Sequence, residues 1–182
     1  MEFIDTFISK YGDEIKFRYL TINDVENLKN YINKISAEQS FILLQGFQHT
    51  TESETKWLKE KLEKISKNKC VYLCGFCGDQ LIACAEIELE FEAKSHVGEF
   101  GISVALDFRG QGIGQKIMEL TISESIKKLT DLKIITLEVF GNNQAAQNLY
   151  RKMGFEENGI MKNFFKQDEK YFHNLTMTMN VK

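Results

Sequence analysis

Arg109-Gly110-Gln111-Gly112-Ile113-Gly114 is the most informative stretch of this 182-residue chain. Before it, residues 97–106 alternate. Phe100, Ile102, Val104 and Leu106 fall on one face, and Glu99, Gly101, Ser103 and Ala105 on the other, which is the period of a strand. After it, Ile113, Ile117 and Leu120 form one edge of an apolar helical face, with Met118, Ile122, Ile126 and Leu129 forming the other. That spacing predicts a helix over about 113–129. Three alternating glycines between strand and helix leave backbone N–H groups uncovered by side chains. The first helical turn adds unpaired N–H groups and the positive end of the dipole. Such a place holds an anion, most naturally a phosphate or pyrophosphate. Arg109 would add a bidentate charge at its rim. It is one of three arginines among 23 basic residues, with Arg18 and Arg151. The competing reading is a plain tight turn with a surface arginine.

Two familiar phosphate motifs are excluded. No Gly-Lys-Ser/Thr follows the glycines, and their spacing is G-x-G-x-G, not the G-x-G-x-x-G of a dinucleotide fold.

Working outward, residues 15–20 alternate as a strand. Thr21-x-x-Asp24 reads as a helix start, and Val25, Leu28, Ile32 and Ile35 share one helical face. Residues 36–50 lose periodicity. Thr51-x-x-Glu54 fits a capping box for a second helix carrying Leu58, Leu62 and Ile65. Residues 70–77 and 80–90 read as strands joined by Gly78-Asp79, a hairpin signal. Residues 133–140 are rich in β-branched side chains, as strands are. Asn142 and Asn143 are good N-caps for a short helix carrying Ala145, Ala146, Leu149, Tyr150 and Met153. Gly154 suits a left-handed helix end, with Phe155 beyond it. Residues 155–181 read as two strands around the polar turn 166–170. With no repeat and no linker, one domain over 1–182, its core at about 15–181, is the economical division.

Composition supports this. Hydrophobic residues make up 43 % and charged residues 27 %, enough apolar material for a core and too much for a disordered chain. A net charge of −3 argues against nucleic acid as main partner. No apolar run reaches the ~18 residues of a spanning helix, so no membrane partner is expected. Acids in the first five residues do not suit a signal peptide, which points to the cytoplasm. Four cysteines, Cys70, Cys74, Cys77 and Cys84, crowd into one segment. In the cytoplasm they would be reduced thiols. The Cys74-x-x-Cys77 spacing invites a metal or redox reading. A strand would turn the two to opposite faces, however, and no histidine is near, so no metal site is expected.

Two segments together carry a resemblance. Arg109-x-x-Gly112-x-Gly114, after a strand and opening a helix, resembles the acetyl-coenzyme A signature of the GCN5-related N-acetyltransferase (GNAT) family. The stretch from Leu137-Glu138-Val139-Phe140-Gly141-Asn142-Asn143 to Leu149-Tyr150 and Gly154-Phe155 is similar to the family's next block. The element order over about 15–180 fits as well.

The resemblance implies an α+β fold: a central, mixed, mostly antiparallel sheet of about seven strands flanked by about four helices. It implies direct acetyl transfer from acetyl-coenzyme A to a primary amine of a small molecule or a protein N-terminus. Dimers also occur in the family. The backbone at Ile102, Ser103 and Val104 would hold the pantetheine arm and polarise the thioester. Arg109, Gly110, Gln111, Gly112, Ile113 and Gly114, with Gln115, would cradle the pyrophosphate. Asn143 matches the residue that bonds the cofactor arm, and Tyr150 the acid that protonates the departing thiolate. Glu99 and Glu138 are the two candidate general bases; a carboxylate can take the proton that an amine must lose before attack. Loop 36–50 and the turn near 164–170 flank the acceptor side. Phe41, Phe47, His49, Phe164, Phe165 and Tyr171 are candidates there, with core packing as the alternative. A non-catalytic acyl-coenzyme A-binding or protein-interaction module of the same fold is the competing function.

Overall fold

The computed structural model describes residues 3–167 and 169–181. Its strands are β1 (Phe3–Ile8), β2 (Glu14–Tyr19), β3 (Cys70–Cys77), β4 (Gln80–Leu89), β5 (Val97–Val104), β6 (Ile134–Phe140), β7 (Glu156–Gln167) and β8 (Lys170–Asn180). The helices are α1 (Val25–Ala37), α2 (Thr51–Ser66), α3 (Ile113–Lys128) and α4 (Gln144–Lys152). All eight strands form one sheet in the order β1-β2-β3-β4-β5-β6-β8-β7. Every neighbouring pair is antiparallel except β5 and β6, which run parallel.

The helices cover the two faces of the sheet. Apolar residues of α1 and α2 (Leu28, Tyr31, Ile35, Leu58) close a core over Cys70, Tyr72, Cys74 and Phe76. On the opposite face Ile113, Ile117 and Met118 of α3 and Tyr150 of α4 pack on Val71, Leu73, Ala85, Phe100 and Leu137. This explains the unbroken apolar run of β3: a strand buried on both sides has no polar face to alternate with. Cys74 and Cys77 take opposite faces, as the strand period requires, and all four cysteines are free thiols.

The sequence reading missed β1. Phe3-Ile4-Asp5-Thr6-Phe7-Ile8 groups its apolar residues in pairs without a period of two, and its pairing with β2 shifts register between Phe3 and Asp5. The cap of α2 is also displaced by one residue. Thr50 and Ser53 form the capping box, not Thr51 and Glu54, because the Glu54 carboxylate is taken by His49. Ile126 turns outward, 47 % exposed. The polar turn between β7 and β8 is where expected, although Asp168 lies outside the described residues.

Asn143 caps α4, its Oδ1 accepting from the Ala146 N–H at 3.2 Å. Gly154, at φ +93°, ends the helix. The Gly154 N–H reaches the Arg151 carbonyl and the Phe155 N–H reaches that of Tyr150, at 3.1 and 3.0 Å. This is the paired closure that a left-handed residue allows. No helix among the described residues is long and apolar enough to cross a membrane.

Candidate active site

The glycine-rich turn exposes backbone. Gly110 and Gly112 have φ of +71° and +87°, a region that costs any other residue strain. Gly112 is the N-cap of α3 and no side chain caps the helix. The first helical bond is Lys116 N–H to Gly112 carbonyl. Among the described residues, none of the six consecutive amides from Gly110 to Gln115 has a hydrogen-bond partner. Nothing stands within 4 Å of where a Gly110 Cβ would be. Six free N–H groups at the positive end of a four-turn helix are a cradle for a diphosphate.

β1 shapes this turn from behind. A Cβ on Gly112 would lie 3.1 Å from Phe7 Cζ. The Lys10 N–H bonds the Gln111 carbonyl at 3.3 Å, and Lys116 pairs with Asp5 at 2.7 Å.

Next to the turn the sheet comes apart. β5 and β6 pair only at Val97–Ile134, Gly98–Ile135 and Glu99–Thr136. Beyond Glu99 the strands diverge. The Glu90 N–H bonds the Val97 carbonyl and the Ala105 N–H bonds the Ile82 carbonyl. Odd-numbered residues of β5 therefore point their peptide groups at β4, and even-numbered ones at the gap. Ile102 and Val104 thus present backbone to the gap, as a ligand lying along the strand would need. Ser103 does not. Its amide turns to β4, and its hydroxyl lies 2.8 Å from the Tyr31 hydroxyl under α1.

Tyr150 stands on the α3 side of the gap. Its ring meets Phe100 edge-on, centroids 6.2 Å apart, and leans on Phe155. Burial pushes its hydroxyl up to about 12, so the phenol keeps its proton at neutral pH and is a standing donor.

Glu99 and Glu138 lie on the opposite face of the sheet, both exposed. Glu99 stands directly across from Glu88 of β4. Burial, then the charges of Glu90, Glu138, Glu86 and Glu88, raise its carboxyl above the usual range. Lys61 pairs with Glu86 and Glu88 at 2.5 and 2.7 Å, and Lys64 adds a second cation on Glu88. Glu99 has no such partner among the described residues. It lines an acidic hollow of about 450 Å³ with Glu86, Glu88 and Glu90.

This geometry belongs to a known family. The sequence model of the Acetyltransferase (GNAT) family matches residues 35–155. The chain belongs to the GNAT family. An N-alpha-acetyltransferase of Sulfurisphaera tokodaii is 24 % identical over 175 residues, 93 % of this chain and 95 % of that protein. A GNAT acetyltransferase of Streptococcus pneumoniae superposes with a TM-score of 0.84 at 23 % identity, covering 92 % of this chain and 99 % of that one. A ribosomal L7/L12 alpha-N-protein acetyltransferase in complex with coenzyme A superposes at 0.81 with 16 % identity, over 99 % of this chain and 98 % of the other. The protein is an N-acetyltransferase with acetyl-coenzyme A as co-substrate. The unpaired amides, the open glycines and the parted strands fit that molecule.

Within this GNAT site the residues expected to hold the cofactor divide. Gly110, Gly112, Gly114 and the amides of Ile113 and Gln115 line the cradle, whereas the Ile113 side chain is fully buried. The Gln111 side chain turns inward, 5 % exposed, donating to the Asp107 carbonyl at 2.9 Å. Gln115 bridges Glu119 at 2.7 Å and Lys152 at 2.8 Å. Arg109 donates to the Val104 carbonyl at 2.8 Å and pairs with Glu38, so it ties the strand end to the acceptor side. Lys152 is a cation beside the cradle that the sequence reading missed, because it comes from another helix. Of the acceptor-side aromatics, Phe165 is buried, stacked on Phe140 at 4.0 Å. Phe41, Phe47, Phe164 and Tyr171 are exposed, although Phe41 meets Phe140, Phe47 meets His49 and Phe164 meets Phe165 edge-on.

Proposed function

We propose that this GNAT enzyme, as one catalytic domain over 1–182, acetylates the α-amine of a peptide or protein. The observation that carries the proposal is the parting of β5 from β6 beside six unpaired amides. It leaves backbone of β5 unpaired between the phosphate cradle on the α3 side and the face under α1 and α2. The bound co-substrate supplies the thioester. The amides of Gly110 and Gly112 to Gln115, with Arg109, hold its diphosphate. The backbone of Ile102 and Val104 lies along its arm, with one N–H polarising the carbonyl. Asn143 keeps its Nδ2 for the same arm while Oδ1 caps α4. Tyr150 donates to the departing sulfur.

On the acceptor face Glu99, unpaired and ringed by carboxylates, draws in the ammonium form of the amine. Of the two glutamates it alone lines the acidic hollow, and so is the better placed to meet the incoming ammonium. The names of two relatives, an N-alpha-acetyltransferase and an alpha-N-protein acetyltransferase, support an α-amine acceptor. Free thiols suit a cytoplasmic setting. The exposed edge strand β7, with Ile160 and Met161, suits a homodimer. The test is thiol release from acetyl-coenzyme A with a panel of peptides bearing free α-amines, against spermidine, amino sugars and free amino acids. Peptides turning over best supports the proposal. Turnover confined to the small amines refutes the acceptor class.

A further inference from the structure

On the acceptor face, the loop between α1 and α2 holds His49 over the strands, and the residue is fixed at nearly every point. The Asn33 side-chain amide clamps its backbone from both sides. The His49 N–H donates to Asn33 Oδ1 at 2.7 Å, and the His49 carbonyl accepts from Asn33 Nδ2 at 3.0 Å. Its ring meets Phe47 edge-on, centroids 4.9 Å apart. Its Nδ1 lies 2.6 Å from Glu54 Oε1, and Glu54 is 4 % exposed.

An ionised carboxylate can only accept, so the hydrogen-bond pattern assigns the ring proton to Nδ1 and leaves Nε2 with a free lone pair. Nε2 is buried and bonds no described residue. A buried polar atom without a partner costs stability, and this one belongs to the most tightly positioned side chain of the loop. Such an arrangement is what a base oriented by a third group looks like.

His49 lines a cleft of about 320 Å³ together with Gly101, Ile102 and Ser103 of β5. Those residues adjoin the amides assigned to the thioester. Glu99 is outside this cleft, two residues back along β5, about 7 Å at the rise of a strand.

We propose that His49, oriented by Glu54, is the base that takes the acceptor's proton. This deepens the acetyltransferase reading of the site and rests on it. The ammonium gives one proton to Nε2, and the imidazolium formed is held by Glu54. The freed amine attacks the thioester carbonyl carbon, forming the C–N bond. Collapse breaks the C–S bond. A second nitrogen proton reaches the sulfur through the Tyr150 hydroxyl, which gives one proton and receives one. The third stays on the amide, and His49 returns its proton to solvent.

The other titratable groups facing the cleft are already engaged. Glu86 of β4 is paired with Lys61. Cys84 of β4 lies 3.4 Å from Cys74, sulfur to sulfur. Tyr72 of β3 is held neutral by burial. From α1 the cleft receives only Leu28 and Ile32, and Tyr31 beside it bonds Ser103.

The experiment follows thiol release against pH for the wild type and for His49→Ala, His49→Gln, Glu54→Gln and Glu99→Gln, with a free-α-amine peptide at saturation. Coenzyme A affinity by calorimetry serves as the folding control. His49→Ala should lower kcat by about 10²–10³-fold, leave coenzyme A affinity unchanged and abolish the acid limb of the wild-type profile. Added imidazole should restore part of the rate. Glu54→Gln should cost about 10-fold in kcat, with coenzyme A affinity unchanged and the acid limb retained, because the base is still present but less firmly oriented. A His49→Ala enzyme with near wild-type rate and limb overturns the proposal. So does a limb lost only in Glu99→Gln, which makes Glu99 the base. A wild type that releases no thiol with any acceptor fails the acetyltransferase reading itself, a result distinct from an active enzyme indifferent to His49.

Discussion

The two sides of β5 are built from different material. Toward β6 and α3 the site is peptide backbone: unpaired amides over Gly110–Gln115, with the peptide group of Ile102 and the N–H of Val104 left free where β5 and β6 separate. Toward α1 and α2 it is side chains: Glu99 among carboxylates, and His49 held by Asn33 and Glu54. The backbone side has the same chemistry whatever side chains surround it, which suits a constant ligand. The side-chain side can be changed residue by residue, which suits the choice of acceptor. Arg109 spans the two, bonded to Val104 at the strand end and to Glu38 beyond α1.

Four substitutions test that division. The largest effect belongs to Gly114→Trp. A Cβ there meets only ordinary contacts, 3.7 Å from Val104 Cγ2 and 3.9 Å from Leu149 Cδ2, but an indole must fill the space between α3 and β5. Coenzyme A affinity should fall about 100-fold or more, roughly 2.7 kcal/mol, in calorimetry, with the circular dichroism unchanged. Unchanged affinity would break the backbone-cradle half of the comparison. Tyr150→Phe should lower kcat about 10²-fold with coenzyme A affinity intact, since only the proton donor is lost; full turnover removes Tyr150 from the mechanism. Arg109→Ala should weaken coenzyme A about 5–10-fold, as expected of a half-exposed cation, and should also raise the acceptor KM because Glu38 is released. An effect on the cofactor alone would show that Arg109 does not couple the two sides.

The smallest effect is on stability. The Glu99 carboxyl is raised in the folded protein, so folding binds a proton there and loses stability as pH rises through the folded value. Glu99→Gln should therefore raise Tm by about 1–2 °C at pH 8, where the wild-type carboxylate repels its neighbours, and leave it unchanged below about pH 4, where the carboxyl is protonated in both the folded and the unfolded chain. An equal shift at both values would mean that the surrounding carboxylates do not act on Glu99.

Much of the fold was legible because its signals are local. The glycine spacing, the alternation over 97–106, the Gly78-Asp79 hairpin and the Asn143 and Gly154 helix ends each depend on neighbours within a few residues. β1 was hidden because an edge strand needs no clean alternation. Glu54 was misread as a capping residue because its partner, His49, lies outside the helix. Gln111 and Ser103 sit inside the right motifs, yet their side chains point elsewhere, and motif spacing does not report rotamers. Lys152 reaches the cradle from α4, a contact with Gln115 that no local pattern encodes.

The sequence by itself determined where the backbone would be left bare, since glycine, strand period and helix start are properties of consecutive residues. Only the tertiary structure decided where β5 and β6 part and which imidazole lines the cleft beside Gly101–Ser103 of β5. Both depend on packing between segments far apart in the chain, where distance in space is set by the whole core and not by spacing along it.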